Sequence, residues 1–171
     1  MDVISLHQVG FTNAVASLGT ALTAGHASLI KRYVSEVYLT YDSDEAGTKA
    51  ALRAVPILKE AGISAKVIRM DPYKDPDEFI KGLGAQALEE RIRKAMSSFM
   101  FQVKVAAGRY DQDDPESKTQ FQHEAAKLLA TIEEPLERKN YIEAVSREYY
   151  IGAKDLEDLV NYYGTSGYSS A

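Results

Sequence analysis

The sequence predicts an α/β fold, a parallel sheet with crossover helices, followed by an all-α region. Three observations carry this. Short apolar runs at 37–41 and 65–70 are each bounded by polar or Gly/Pro-containing turns. A segment with helical periodicity lies between them, which suits a crossover joining parallel strands. From about Ala85 onward strand-like runs fade and only helical spacing remains.

The elements follow in order. Val3, Ile4, Leu6 and His7 predict a helix ended by Gly10, and residues 13–18 read as a short buried strand broken by Gly19 and Thr20. Thr23 is placed to cap a helix carrying Leu29, Ile30, Tyr33 and Val34. The strand at 37–41 leads into a helix from about Glu45 to Glu60, stopped by Gly62. Pro56 is expected to kink it, because proline removes a backbone donor. After the strand at 65–70, a helix over 85–94 is expected to continue through Phe99, Phe101 and Val105. Residues 108–113 form a polar break, Asp114 and Pro115 open a further helix, and another begins near Pro135 with Tyr141, Ile142 and Val145. Gly152 precedes a last helix with Leu156, Leu159 and Val160. The expected divisions are an α/β part at 1–83, a helical part at 84–164 and a flexible tail at 165–171.

The 171 residues are 45% hydrophobic, enough for one domain and an appendage. The net charge of −5 means that whole-chain electrostatics do not draw nucleic acid, so such contacts would need local basic patches or bridging metal. With no cysteine, disulfides and thiolate metal sites are excluded, which suits a reducing, cytoplasmic setting. No apolar run approaches the ~20 residues of a membrane span.

The chemistry is concentrated in two acidic pairs at the ends of consecutive strand candidates. Asp42 and Asp44 follow the first and Asp75 and Asp77 follow the second, with Pro76 stiffening the turn between them. Two carboxylates ~4 Å apart repel by on the order of 4 kcal/mol at an effective dielectric of ~20. A hard divalent cation with oxygen ligands offsets such repulsion. Glu45 and Glu78 are better read as helix-start acids, favoured by the helix dipole, than as ligands. Gly19 and Thr20 could bind phosphate or simply turn the chain, and His7, His26 and His123 share no metal spacing. Lys31, Arg32, Arg91, Arg93 and Lys94 fit solvated helix faces better than phosphate contacts, and Phe99, Phe101, Tyr149 and Tyr150 fit core packing.

Four ordered motifs resemble bacterial DNA primase. They are Met1-Asp2-Val3-Ile4, Ala16-Ser17-Leu18-Gly19-Thr20, Tyr41-Asp42-Ser43-Asp44-Glu45-Ala46-Gly47 and Asp75-Pro76-Asp77. The resemblance covers roughly residues 1–164. It implies a Toprim-type, Rossmann-like parallel sheet followed by the helical subdomain of the RNA-polymerase core. It also implies a function: synthesis of short RNA primers on single-stranded DNA by metal-assisted nucleotidyl transfer. Asp2, Asp42 and Asp44 would be catalytic, and Asp42, Asp44, Asp75 and Asp77 would hold Mg²⁺, with Mn²⁺ as an alternative. The implied partners are template DNA, ribonucleoside triphosphates, the RNA–DNA product and a replicative helicase. The alternatives are another Toprim enzyme, such as a topoisomerase or nuclease, and a non-catalytic replication-partner module.

The family motif begins with a glutamate three residues before the methionine that opens this sequence. The resemblance therefore leads to the expectation of a piece of a longer parent, inactive alone. That parent would carry the glutamate and its strand, a zinc-binding amino-terminal domain and a helicase-binding carboxy-terminal domain.

Overall fold

A computed structural model describes residues 1–166 and divides the chain into two compact units, Met1–Ser98 and the residues from Phe99 onward. The first unit holds α1 (Asp2–Gln8), α2 (Ala24–Lys31), β1 (Glu36–Leu39), α3 (Glu45–Glu60), β2 (Ser64–Val67), α4 (Pro76–Arg93) and β3 (Met96–Ser97). The second contains most of α5 (Ser98–Ala107), then α6 (Pro115–Ala130), α7 (Pro135–Tyr149) and α8 (Ala153–Ser166).

β1 and β2 pair in parallel with Val37 opposite Ala65 and Leu39 opposite Val67, and α3 is their crossover. Ala51, Ala54, Val55 and Leu58 are buried on α3, spaced to fall on one helical face. Leu58 joins Ala27, Ile63 and Ala65 in one small core, and full burial of a leucine side chain stabilises by roughly 1.5–3 kcal/mol. The helix runs through Pro56, ends at Glu60 and gives way to Gly62 at φ 71°, a left-handed turn that suits glycine. A second small core gathers Leu6, Ile68, Met70, Phe79 and Leu88. In the helical unit, Phe121, Ala125, Ala126, Leu129, Val145 and Leu156 are fully buried. Asp114 caps α6 by accepting from the Ser117 N–H at 2.7 Å, and Pro115 occupies the first turn.

Several expectations are corrected. Residues 13–18 form no strand; Val15 is 79% and Leu18 89% exposed, and Leu18 and Gly19 both take positive φ, which turns the chain. Thr23 caps α2, but the helix ends at Lys31 and leaves Tyr33 and Val34 outside it and exposed. The helix expected to run from 85 through 105 is interrupted, because Met96 and Ser97 pair antiparallel with Val67 and Lys66. The sheet is thus a parallel pair with a short antiparallel third strand, in the order β1-β2-β3. Gly84, where a boundary was expected, lies inside α4 at φ 82° and kinks it, while the compact units divide at Ser98. Tyr150 is 89% exposed at the left-handed end of α7 and takes no part in the core. Of the expected tail, 165–166 end α8 and 167–171 lie outside the described residues. Among the described residues no helix is long and apolar enough to cross a membrane.

Candidate functional site

The loop after β1 and the loop after β2 are tied to each other by main chain. The Ser43 N–H donates to the Lys74 carbonyl at 2.8 Å, so Asp42-Ser43-Asp44 and Lys74-Asp75-Pro76-Asp77 form one unit. The glycine in the first motif has a steric reason to be there. A Cβ on Gly47 would stand 1.9 Å from the Asp42 carbonyl oxygen, so α3 enters against the Asp42 backbone with no room for a side chain.

The acids divide by what they touch. Asp44 is the N-cap of α3 and accepts from the Gly47 N–H at 2.7 Å. Asp75 is the N-cap of α4 and accepts from the Glu78 N–H at 2.8 Å; its extended backbone, at φ −142° and ψ 171°, is what the following proline enforces. Asp77 is held by the Lys81 ammonium at 2.6 Å and by the Ser5 hydroxyl from α1. Those two hydrogen bonds hold its carboxyl below the usual carboxylate range. Asp42 is paired loosely, with Lys74 Nζ at 3.8 Å. The two acidic pairs expected to hold one metal thus have different partners, because two of the four acids are spent on helix starts.

Asp2 shows where the charge converges. Burial is the largest cause raising its pKa, and the negative fields of Asp75 and Asp42 add to it. The amino-terminal charge and a hydrogen bond from the Asp77 N–H oppose the rise. Beside this cluster the Ser43 hydroxyl oxygen is buried without a hydrogen-bond partner. A buried hydroxyl lacking a partner costs roughly 1–3 kcal/mol.

Among the described residues no three His, Cys, Asp or Glu side chains form a ready metal cage. Mg²⁺ is commonly bound through one or two carboxylates, with waters and substrate phosphates completing the octahedron. Asp2, which feels the nearby Asp75 and Asp42 carboxylates, and Asp42, whose cation stands off at 3.8 Å, fit that mode of binding.

The second loop is braced by residues that the sequence pattern did not flag as functional. Arg91 donates to the carbonyls of Arg69 at 3.1 Å and Asp71 at 2.7 Å, and its guanidinium lies over the Phe79 ring. Arg69 pairs with Asp71 at 2.6 Å. Tyr73 packs edge-on against Phe79 and fills the space beside Gly82. Such bracing leaves no periodic signal, because its partners are backbone carbonyls and a ring. The other singled-out residues have local roles. Glu45 pairs with Lys49, and Glu78 accepts from the Lys74 N–H at 3.2 Å. His26 completes the capping box of α2, and Gly19 and Thr20 belong to a turn closed by reciprocal hydrogen bonds between Ser17 and Thr20.

Residues 1–80 match the family described as Toprim-like, and residues 99–152 match the DnaB-helicase binding domain of primase. The DNA primase of Clostridium acetobutylicum is 38% identical over 94% of this chain, which spans 27% of that protein. The Aquifex aeolicus primase structure, with its zinc-binding and RNA polymerase domains, has a TM-score of 0.64 at 31% identity, covering 91% of this chain and 36% of the other. The RNA polymerase domain of Mycobacterium tuberculosis primase in complex with double-stranded DNA gives 0.73 at 26% identity, covering 88% and 49%. The chain therefore spans about a quarter of the curated relative it matches.

Proposed function

We infer that the chain belongs to the bacterial DNA primase family, whose catalytic-core region it matches. On that premise we propose that its acidic centre serves nucleotidyl transfer in the making of RNA primers on a DNA template. The single observation carrying this reading is the Ser43 N–H to Lys74 carbonyl hydrogen bond, 2.8 Å, which unites two acidic loops beside Asp2. Mg²⁺, when bound, lowers the pKa of the attacking 3′-hydroxyl and offsets charge on the reacting phosphate. Asp42 and Asp2 would hold it directly, and Asp44 and Asp75 would contribute their second oxygens. Mn²⁺ would be accepted by the same oxygen donors.

The chain's own residues set the geometry. The caps at Asp44 and Asp75 start two helices at fixed points, so their free oxygens cannot wander. Asp77 acts structurally, joining α1 to α4 through Ser5 while Lys81 neutralises it. We further propose that template DNA, ribonucleoside triphosphates and the RNA–DNA product are the partners of the whole catalytic core. On this reading, this chain alone on single-stranded DNA should make no primer.

The test is calorimetric titration of Mg²⁺ into the wild type and Asp42→Asn. Removing even an outer-shell partner of a metal costs about 10–100-fold in affinity, so loss of a direct carboxylate should cost at least as much. Equal affinities, or no binding to the wild type, would remove the metal reading. A second role is supported by the match at 99–152: the helical unit would dock a DnaB-type helicase. A pull-down of such a helicase by residues 99–166 that is no stronger than background would dismiss it.

A further inference from the structure

We propose that Lys74 is an exchangeable counter-ion of the acidic centre. Its ammonium holds Asp42 until a divalent cation takes that carboxylate, and then turns to an oxygen of the nucleoside triphosphate. This rests on the reading of the centre as a metal-assisted nucleotidyl-transfer site.

The two lysines flanking the centre differ in kind. Lys81 lies 2.6 Å from Asp77, whose side chain is only 17% exposed and is also held by Ser5. Lys74 lies 3.8 Å from Asp42, and both side chains are well exposed, at 59% and 42%. An exposed pair at that distance is weak and screened, so a divalent ion displaces it readily. The first lysine is part of the frame; the second is free to leave.

Lys74 is also fixed where a departing ammonium stays useful. Its N–H donates to Glu78 Oε2 at 3.2 Å and its carbonyl accepts from the Ser43 N–H at 2.8 Å. The main chain is thereby held between the two loops, so only the side chain must move. Its flexible four-carbon stem ends in a compact charge with three rotatable donors, a form that binds phosphate as a point charge. The requirement for such a charge is electrostatic. A polyanionic triphosphate approaching Asp2, Asp42 and Asp75 meets repulsion that a single Mg²⁺, shared with those carboxylates, offsets only in part.

The experiment compares wild type, Lys74→Met and Lys74→Arg, using the whole chain. Mn²⁺ binding is read from the electron paramagnetic resonance of the free ion, and ATP binding by calorimetry at saturating Mn²⁺. Lys74→Met should bind Mn²⁺ about two- to fivefold more tightly, because its competitor is gone. It should bind ATP about two- to fivefold more weakly, the change worth up to about 1 kcal/mol. Lys74→Arg should restore ATP affinity. If the wild type binds Mn²⁺ but either constant is unchanged in Lys74→Met, the exchange is refuted while the metal site stands. Weaker Mn²⁺ binding by Lys74→Met would refute it too. No Mn²⁺ binding by the wild type would overturn the metal site and the exchange together.

Discussion

Gly47→Ala separates tertiary packing from helix propensity, because the two predict opposite signs. Gly47 lies in the first turn of α3, where replacing glycine by alanine ordinarily stabilises a helix by about 0.5–1 kcal/mol. Its Cβ would meet the Asp42 carbonyl oxygen at 1.9 Å, the carbonyl carbon at 2.7 Å and the amide nitrogen at 2.9 Å. All three are backbone atoms, so the helix or the acidic loop must move. Overpacking of this kind costs about 1–3 kcal/mol. A shift of the helix start also weakens the Asp44 cap on the Gly47 N–H, which is worth about 1 kcal/mol. The net expectation is a loss of about 2 kcal/mol in urea unfolding, with weaker Mg²⁺ binding. Gly25→Ala is the control, since its Cβ would meet only Thr23 Oγ1, at an ordinary 3.6 Å, and it should be neutral or slightly stabilising. A Gly47→Ala protein at least as stable as wild type would refute the close approach of α3 to the Asp42 backbone.

Other consequences can be tested in the same way. Asp44→Ala should lose about 1 kcal/mol through its helix cap, whereas Asp42→Ala, whose ion pair is exposed, should change the urea midpoint by less than half as much. Phe121→Ala in the helical unit should cost about 3–5 kcal/mol, because Phe121 is fully buried against Tyr149 and Tyr110; thermal unfolding monitored at 222 nm reads it. The Arg69 hydrogen bond lowers the Asp71 carboxyl below its ordinary 3.8, so the folded form binds its proton later than the unfolded chain does. Stability from this pair is present above that value and lost as pH falls through the folded pKa. Urea midpoints of wild type and Asp71→Asn should therefore differ at pH 7 and draw together as the pH falls below 3.8.

The parts of this fold that were legible from sequence are those fixed locally. α3 starts at Glu45 and Gly62 follows its end, and Asp114 with Pro115 opens α6, as their local signals require; α4, expected only over 85–94, starts instead at Pro76 behind the Asp75 cap. Residues 13–18 misled because an apolar run carries no record of its strand partners; Leu18 at φ 51° turns instead. β3 was hidden for the converse reason. Two residues cannot show alternation, and Met96-Ser97 becomes a strand only because β2 offers an edge. At the site, the acidic residues were visible but their division of labour was not. Asp77 differs from Asp42 through Ser5, distant in sequence, and Lys81, one helical turn away. Arg91 reads from sequence as a solvated surface charge, yet it spans 20 and 22 residues to brace the loop carrying Asp75.

If the two acidic loops and Asp2 make one divalent-cation centre, as proposed, paramagnetic broadening of amide signals by substoichiometric Mn²⁺ will show it. The amides of Ser43, Asp44, Asp75 and Asp2 should broaden together at the same low Mn²⁺ concentration, and Asp42→Asn should abolish the effect. Broadening of one loop without the other, or broadening unchanged in Asp42→Asn, would contradict it.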